Sequence, residues 1–330
     1  DVEILTGVAK VAAAAHAPFI SAASPDVMGM ETWQQLNDKR DIAKVFDPAN
    51  PEYLSWNSLR QNPDSMYLGL TMPRFLSRIP YGSNTNPVDE FNFEEFDFGS
   101  EETINKHEDY VWSNAAYAMA ANITRSFALY GWTTCIRGVE NGGMVEDLPV
   151  HTFPTDDGSV DMKCPTEIAV GERREHELSH AGFLPLAHWK NTDYSVFIGG
   201  QSLNKPQEYM DPDATANAQI SARLPYMFAC CRFAHFLKSI VRDKIGSFKE
   251  RADMERWLGD WIQNYCIDDP GASDRAKAER PLQKASVGVE EIPGNPGYYK
   301  AKFHLRPHFM LEGIDIDLSL VSKLPSGEGG

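Results

Sequence analysis

The chain has 330 residues, 42% of them hydrophobic and 24% charged, which suits a globular protein with a sizeable core in one large or two medium domains. A formal net charge of −16 argues against nucleic acid or an anionic membrane as the main partner. No apolar run approaches membrane-spanning length, no signal-peptide pattern opens the chain, and five cysteines without a C-x-x-C read as small apolar residues of a reducing compartment. The first residue is Asp1, so the sequence reads as a fragment or processed piece. The charge is uneven. Residues 88–109 are acidic with interleaved Phe, and residues 223–256 are rich in Lys and Arg. Such a pair of surfaces suits self-assembly or a charged partner, and two solvated faces equally.

An Ala-rich helix is expected from the start to Pro18, then a short strand in PFISAAS. Short helices follow in ETWQQLNDKRDIAKVF and PEYLSWNSLRQN, separated by Asp-Pro and Asn-Pro breaks. MYLGLTM (66–72) reads as a buried strand and NPVDEFNFEEFDF as an exposed loop. The stretch from His107 to Trp132 reads as a long helix. Ala116, Ala120, Ile123, Phe127 and Tyr130 form its apolar stripe, and Gly131 is its stop. WTTCIRG, FLPLAH and YSVFIG are expected as strands, which makes this part an α/β unit. The Gly-rich loop at 138–153 lacks the G-K-[ST] ending of a phosphate loop, and Ser202–Lys205 matches S-x-x-K without its partner motifs.

Residues 176–180, HELSH, match the H-E-x-x-H pattern of zinc peptidases. On a helix, His176 and His180 would share one face and Glu177 could act as general base. The surroundings weigh against a zinc-dependent metallopeptidase. The helix, bracketed by Gly171 and Gly182, is polar on nearly every side, and Phe183 and Leu186 stand where the extended motif needs Gly and His. We expect both His side chains to be exposed and metal-free.

A polar, Pro-containing bridge at 205–219 is the expected domain boundary, dividing the chain into 1–204 and 205–330. Beyond it come a long helix over 220–248, a second helix in RADMERWLGDWIQNYC, and three strands: ASVGVEEI, YYKAKFHLRP and GIDIDLSLVSK. On the long helix, Phe233, Phe236, Leu237, Ile240 and Val241 form the apolar stripe, with Arg232, His235, Lys238 and Arg242 as a basic one. In the strands Tyr299, Ala301, Phe303 and Leu305 share one face, as do Ile314, Ile316, Leu318 and Leu320. The fold class expected is thus α/β and α+β, a mixed-sheet first domain followed by a two-helix, three-strand unit.

The run YAMAANITRSFALYGWTTCIRGVENGGMVEDLPVHTFPTDDGSVDMKCPTEIAV resembles the large sheath subunit of the bacterial type VI secretion system, the TssC (VipB) family. So do KVFD, GLTMPRFLSRIPYG, LPYMFACCRFAHFLKSIVRDKIGSF and LRPHFMLEGIDIDLSLVSKLP, and the resemblance covers nearly the whole chain in order. Asn141 and Met310 depart from the residues usual there, and so do His176 and His180. The resemblance implies a non-enzymatic structural protein of the bacterial cytoplasm, without cofactor, metal or nucleic acid and without insertion in the membrane. It implies assembly with a small sheath subunit, TssB (VipA), around a tube of Hcp, attachment to a baseplate, and disassembly after contraction by the ClpV unfoldase. It implies a C-terminal domain similar to the inner domain of phage tail sheaths, and an N-terminal segment before Asp1. From similar sheath domains, the basic residues Arg232, His235, Lys238 and Arg242 are expected to face the tube, and residues 313–322 to join a sheet completed by other chains.

Overall fold

The computed structural model describes residues 1–39, 41–95, 107–154, 158–189, 192–244, 251–291, 299–308 and 318–324. In the first part, α1 (Val2–Ala15) starts where the Asp1 carboxylate accepts from the backbone N–H groups of Glu3 and Ile4, and ends at His16 in the left-handed region. It leads into β1 (Phe19–Ala22), α2 (Ile42–Val45), α3 (Leu54–Gln61), β2 (Leu68–Met72) and β3 (Phe75–Leu76). Next come β4 (Trp112–Ser113), α4 (Ala115–Tyr130), β5 (Met144–Val145), β6 (Thr152–Pro154), β7 (Val160–Met162), α5 (Glu172–His180), β8 (Leu184–His188) and β9 (Ser195–Phe197). The second part holds α6 (Pro212–Ser221), α7 (Leu224–Lys244), α8 (Arg251–Gln263), α9 (Asp274–Glu279), β10 (Leu282–Glu291), β11 (Tyr299–Pro307) and β12 (Leu318–Leu324).

A five-stranded mixed sheet runs in the order β1-β2-β8-β9-β5. Its β1, β2 and β8 are parallel, and β9 and β5 join antiparallel. All five residues of β2 are buried, as expected of a parallel strand covered on both faces. Leu68, Leu70 and Met72 pack with Trp33, Leu36, Trp56 and Phe183. Leu184, Leu186 and Phe197 pack with Ala115 and Met119 of α4 and Leu224 of α7. Gly69 is the contact point, since a Cβ there would lie 2.8 Å from Leu224 Cδ1 and 3.0 Å from Leu184 Cδ1.

The segment after β2 is held by one buried carboxylate. The Glu167 side chain has no exposed surface and accepts from Arg74 Nε at 2.8 Å and Nη2 at 2.6 Å. It also accepts from His107 Nε2 at 3.1 Å, while the His107 ring stacks on Trp112 at 4.8 Å. Burial alone pushes this carboxyl up, but the hydrogen bonds and charge of Arg74 and His107 outweigh it and bring Glu167 down to about 2.

The C-terminal sheet is antiparallel in the order β10-β11-β12, with Phe303 opposite Val287 on one side and Leu320 on the other. Ala301, Phe303 and Leu305 of β11 are buried while His304 is exposed, so the alternation in the sequence holds through this strand. Phe233 and Leu237 of α7 and Leu258 and Ile262 of α8 pack into the same core. Burying each of the large side chains contributes about 1.5–3 kcal/mol. Trp132, from the loop after α4, enters this core and lies 4.7 Å from Phe233, centroid to centroid.

Four expectations need correction. The stretch WTTCIRG is not a strand, because its backbone is taken by a loop: Ser126 Oγ donates to the Trp132 carbonyl and accepts from the Cys135 N–H. The helix begins at Ala115, where Asn114 caps it, rather than near His107. Its buried face is Ala115, Ala118, Met119, Asn122 and Ser126, one step round from the apolar stripe, so Phe127 is 45% exposed. α6 starts inside the bridge at 205–219, capped by Asp211, and runs past it to Ser221, and the long helix starts only at Leu224.

Candidate interaction surfaces

The zinc-peptidase pattern lies on α5, whose first turn follows Gly171 and whose carbonyl end receives Arg60 Nη2 at the His180 oxygen, 2.8 Å away. The His176 and His180 rings are both exposed and meet edge to face at 4.4 Å. Burial, and then the neighbouring His176, lower the basicity of His180. Glu177 is bonded to Arg173 Nε at 2.9 Å and Arg174 Nη1 at 2.9 Å, which commits the proposed base to two cations. The helix is not exposed on every side, because Glu175 and Leu178 are buried. Among the described residues no group of three or more His, Cys, Asp or Glu is placed to hold a metal ion. The five cysteines are all free. Ser202, of the S-x-x-K match, is buried and donates to the Ala222 carbonyl.

The basic stripe of α7 divides into separate contacts. Arg232 sits against three rings, with its guanidinium carbon 4.8 Å from the centroid of Phe127, 5.3 Å from Trp132 and 5.0 Å from Phe236. Its Nε is buried without a hydrogen-bond partner among the described residues. His235 and Lys238 are exposed and turn towards the end of α1. His235 Nε2 donates to the Ala15 carbonyl at 2.8 Å, and Lys238 Nζ donates to His16 Nδ1 at 3.2 Å. A ring N–H and the Lys238 ammonium thus meet the negative end of the α1 dipole. Arg242 belongs to α7, but its side chain lies outside the described residues. No local signal in the sequence reveals these contacts, since the partners are 220 and 222 residues apart.

Of the expected inter-subunit strand, Leu318 and Leu320 fall in β12, opposite Leu305 and Phe303, and Ile314 and Ile316 lie outside the described residues. Within the described residues β12 pairs only with β11, at the margin of the sheet. Among the described residues, exposed apolar side chains include Tyr117, Phe127 and Leu129 on α4, Ile4 and Val11 on α1, and Phe91 and Phe93 in the acidic loop. No helix among the described residues is long and apolar enough to cross a membrane.

Two family models match the chain in succession. One, described as EvpB/VC_A0108, tail sheath N-terminal domain, matches residues 1–204. The other, described as EvpB/VC_A0108, tail sheath gpW/gp25-like domain, matches residues 213–324. The chain is also 63% identical over 329 residues to the type VI secretion system sheath protein TssC1 of Pseudomonas aeruginosa, strain PAO1. That alignment covers 99% of this chain and 65% of the relative, so the chain spans about two thirds of the length of the curated protein it matches.

Proposed function

We propose that this chain, which belongs to the EvpB/VipB family of type VI secretion sheath large subunits, forms the wall of a contractile sheath with a small subunit of the TssB (VipA) kind. The observation that carries the proposal is the pair of tail-sheath matches, which together take in most of the chain in order. The sheath encloses a tube of Hcp, stands on a baseplate in the bacterial cytoplasm, and is dismantled by ClpV once contracted. No catalytic step is assigned to the chain. Its work is stored in packing, as an extended polymer that relaxes to a shorter, wider one.

In this reading residues 1–204 form the outer and middle wall and residues 205–330 the inner wall. Of the basic residues of α7, His235, Lys238 and Arg242 are assigned to the tube directly, and Arg232 to the edge of that face, where it packs among Phe127, Trp132 and Phe236. The exposure of His235 and Lys238 supports this, and so does the positive charge of Lys238 on a chain of net charge −16. The segment with Ile314, Ile316, Leu318 and Leu320 is assigned to a sheet shared with neighbouring chains. The marginal position of β12 supports that assignment, because a strand edge carries backbone groups that need partners. Each backbone hydrogen bond across such an edge contributes about 0.5–1.5 kcal/mol, so four or five give a link worth several kcal/mol that persists while subunits rotate. Co-expression of the full-length protein with its small sheath partner, followed by negative-stain electron microscopy, tests the proposal. Hollow tubules are expected. A large subunit that stays monomeric beside its partner identifies a soluble adaptor instead.

A further inference from the structure

His16 ends α1 in the left-handed region, at φ 54° and ψ 45°. Its ring is half-buried and meets groups from two other parts of the chain. Lys238 Nζ donates to its Nδ1 at 3.2 Å, the His235 ring lies 6.4 Å away, and the Tyr67 ring meets it edge to face at 6.4 Å. Beside it, His235 Nε2 donates to the Ala15 carbonyl at 2.8 Å. These two bonds join α1, in the stretch matched by the tail sheath N-terminal domain, to α7, in the stretch matched by the gpW/gp25-like domain.

A proton acts differently on each bond. His235 Nε2 carries its hydrogen whether that ring is neutral or charged, so the bond to Ala15 survives acidification. The bond at His16 does not. An ammonium has donors and no acceptor, so Nδ1 must offer its lone pair, and only a neutral ring with its hydrogen on Nε2 does that. A proton added at Nδ1 turns the acceptor into a donor and sets two positive charges against each other.

The other groups packed here leave this logic intact. Burial pushes Tyr67, before β2, and Cys231, on α7, each up to about 12, so both are neutral where a histidine titrates. Asp64 acts on Tyr67, while the charged groups acting on His16 are Lys238 and His235. From α3, Arg60 donates to the Leu203 and His180 carbonyls, and β1 carries no titratable side chain. Arg242 and Asp243 lie further along α7 with side chains outside the described residues. Either would move the pH of the change without altering which form of the ring can accept.

We propose that the contact between the end of α1 and α7 is a proton-operated latch, closed while His16 is neutral and loosened when His16 takes a proton at Nδ1 and repels Lys238. The latch acts within one chain and stands whether or not α7 meets a tube. Burial, then the Lys238 charge and, more weakly, His235 hold the His16 imidazole below its ordinary value of 6.5, against an opposing backbone hydrogen bond at Ala14. The folded-state value is lowered, so the contact is complete above 6.5 and weakens as pH falls through the folded value.

Hydrogen exchange of the full-length protein, read by mass spectrometry between pH 8 and pH 5.5, tests the latch twice. Exchange at the histidine ring C2 position follows the protonation of each imidazole. His16 should titrate below 6.5, and Lys238→Met should raise its proton affinity about threefold or more. Backbone exchange, corrected for its intrinsic pH dependence, reports the last turn of α1. Protection of the peptide spanning residues 12–17 should fall about threefold or more over this range, measured against the β2 peptide as internal standard. The fall should be absent in His16→Asn, because Asn tolerates the left-handed conformation and keeps a neutral oxygen for Lys238. Lys238 is exposed, so its replacement leaves the core intact. A His16 that titrates at or above 6.5, a titration unchanged by Lys238→Met, or an equal loss of protection in wild type and His16→Asn overturns the proposal.

Discussion

Replacing Glu167 with Gln removes the one negative charge to which Arg74 and His107 are both bonded. The Glu167 side chain has no exposed surface, while that of Arg74 is 46% exposed. A carboxyl held at about 2 against a reference value of 4.5 is worth about 3 kcal/mol at neutral pH. Solvent around Arg74 screens part of the loss in the variant, so Glu167→Gln should cost about 2–3 kcal/mol. The folded-state value is depressed, so this stability is fully present above about pH 4.5 and is lost as pH falls towards about 2. Urea unfolding followed by tryptophan fluorescence, on wild type and variant side by side, measures it. The difference between the two proteins should shrink to less than half between pH 7 and pH 3. Comparing the pair cancels the protonation of other carboxylates, which both proteins share. A variant within about 0.5 kcal/mol of wild type at pH 7, or a difference unchanged at pH 3, would refute the reasoning.

Arg232→Ala should destabilise the fold by about 1–2 kcal/mol, because the guanidinium fills the space among Phe127, Trp132 and Phe236, whereas Lys238→Ala, on an exposed side chain, should cost less than about 0.5 kcal/mol. Urea unfolding separates the two, and equal costs would mean that Arg232 is not packed as described. The His176→Ala, His180→Ala double variant should unfold within about 0.5 kcal/mol of wild type, and elemental analysis of the purified wild-type protein should find no stoichiometric zinc. One tightly held zinc per chain would instead revive the peptidase pattern.

Elements governed by short-range chemistry were legible in the sequence. The fully buried run of β2, the alternation in β11, and Gly131 at φ 73° ending α4 each express a local rule, and the structure follows it. Reading failed where a side-chain hydrogen bond or a tertiary contact reverses a local preference. Asn122 and Ser126 are buried on α4 because Asn122 accepts from Arg125 and Ser126 bonds the following loop, and this rotates the helix away from its most apolar side. Trp132 leaves the strand its neighbours suggest because the C-terminal core receives it. The Ala, Asn and Gln of α6 carry little apolar periodicity, so only the Asp211-Pro212 start marked a helix there. The basic residues of α7 formed an even stripe in sequence. In space Arg232 meets aromatic rings, and His235 and Lys238 meet the end of α1.

A side-chain-resolution electron cryomicroscopy reconstruction of the full-length protein assembled with its small subunit speaks most directly to whether this chain is a linked wall subunit. The expected map shows a helical sheath in which a strand from another chain pairs along the margin of the β10-β11-β12 sheet, with α7 turned to the lumen. A sheet completed within one chain, with its β12 edge facing solvent and no strand crossing between neighbours, would contradict it.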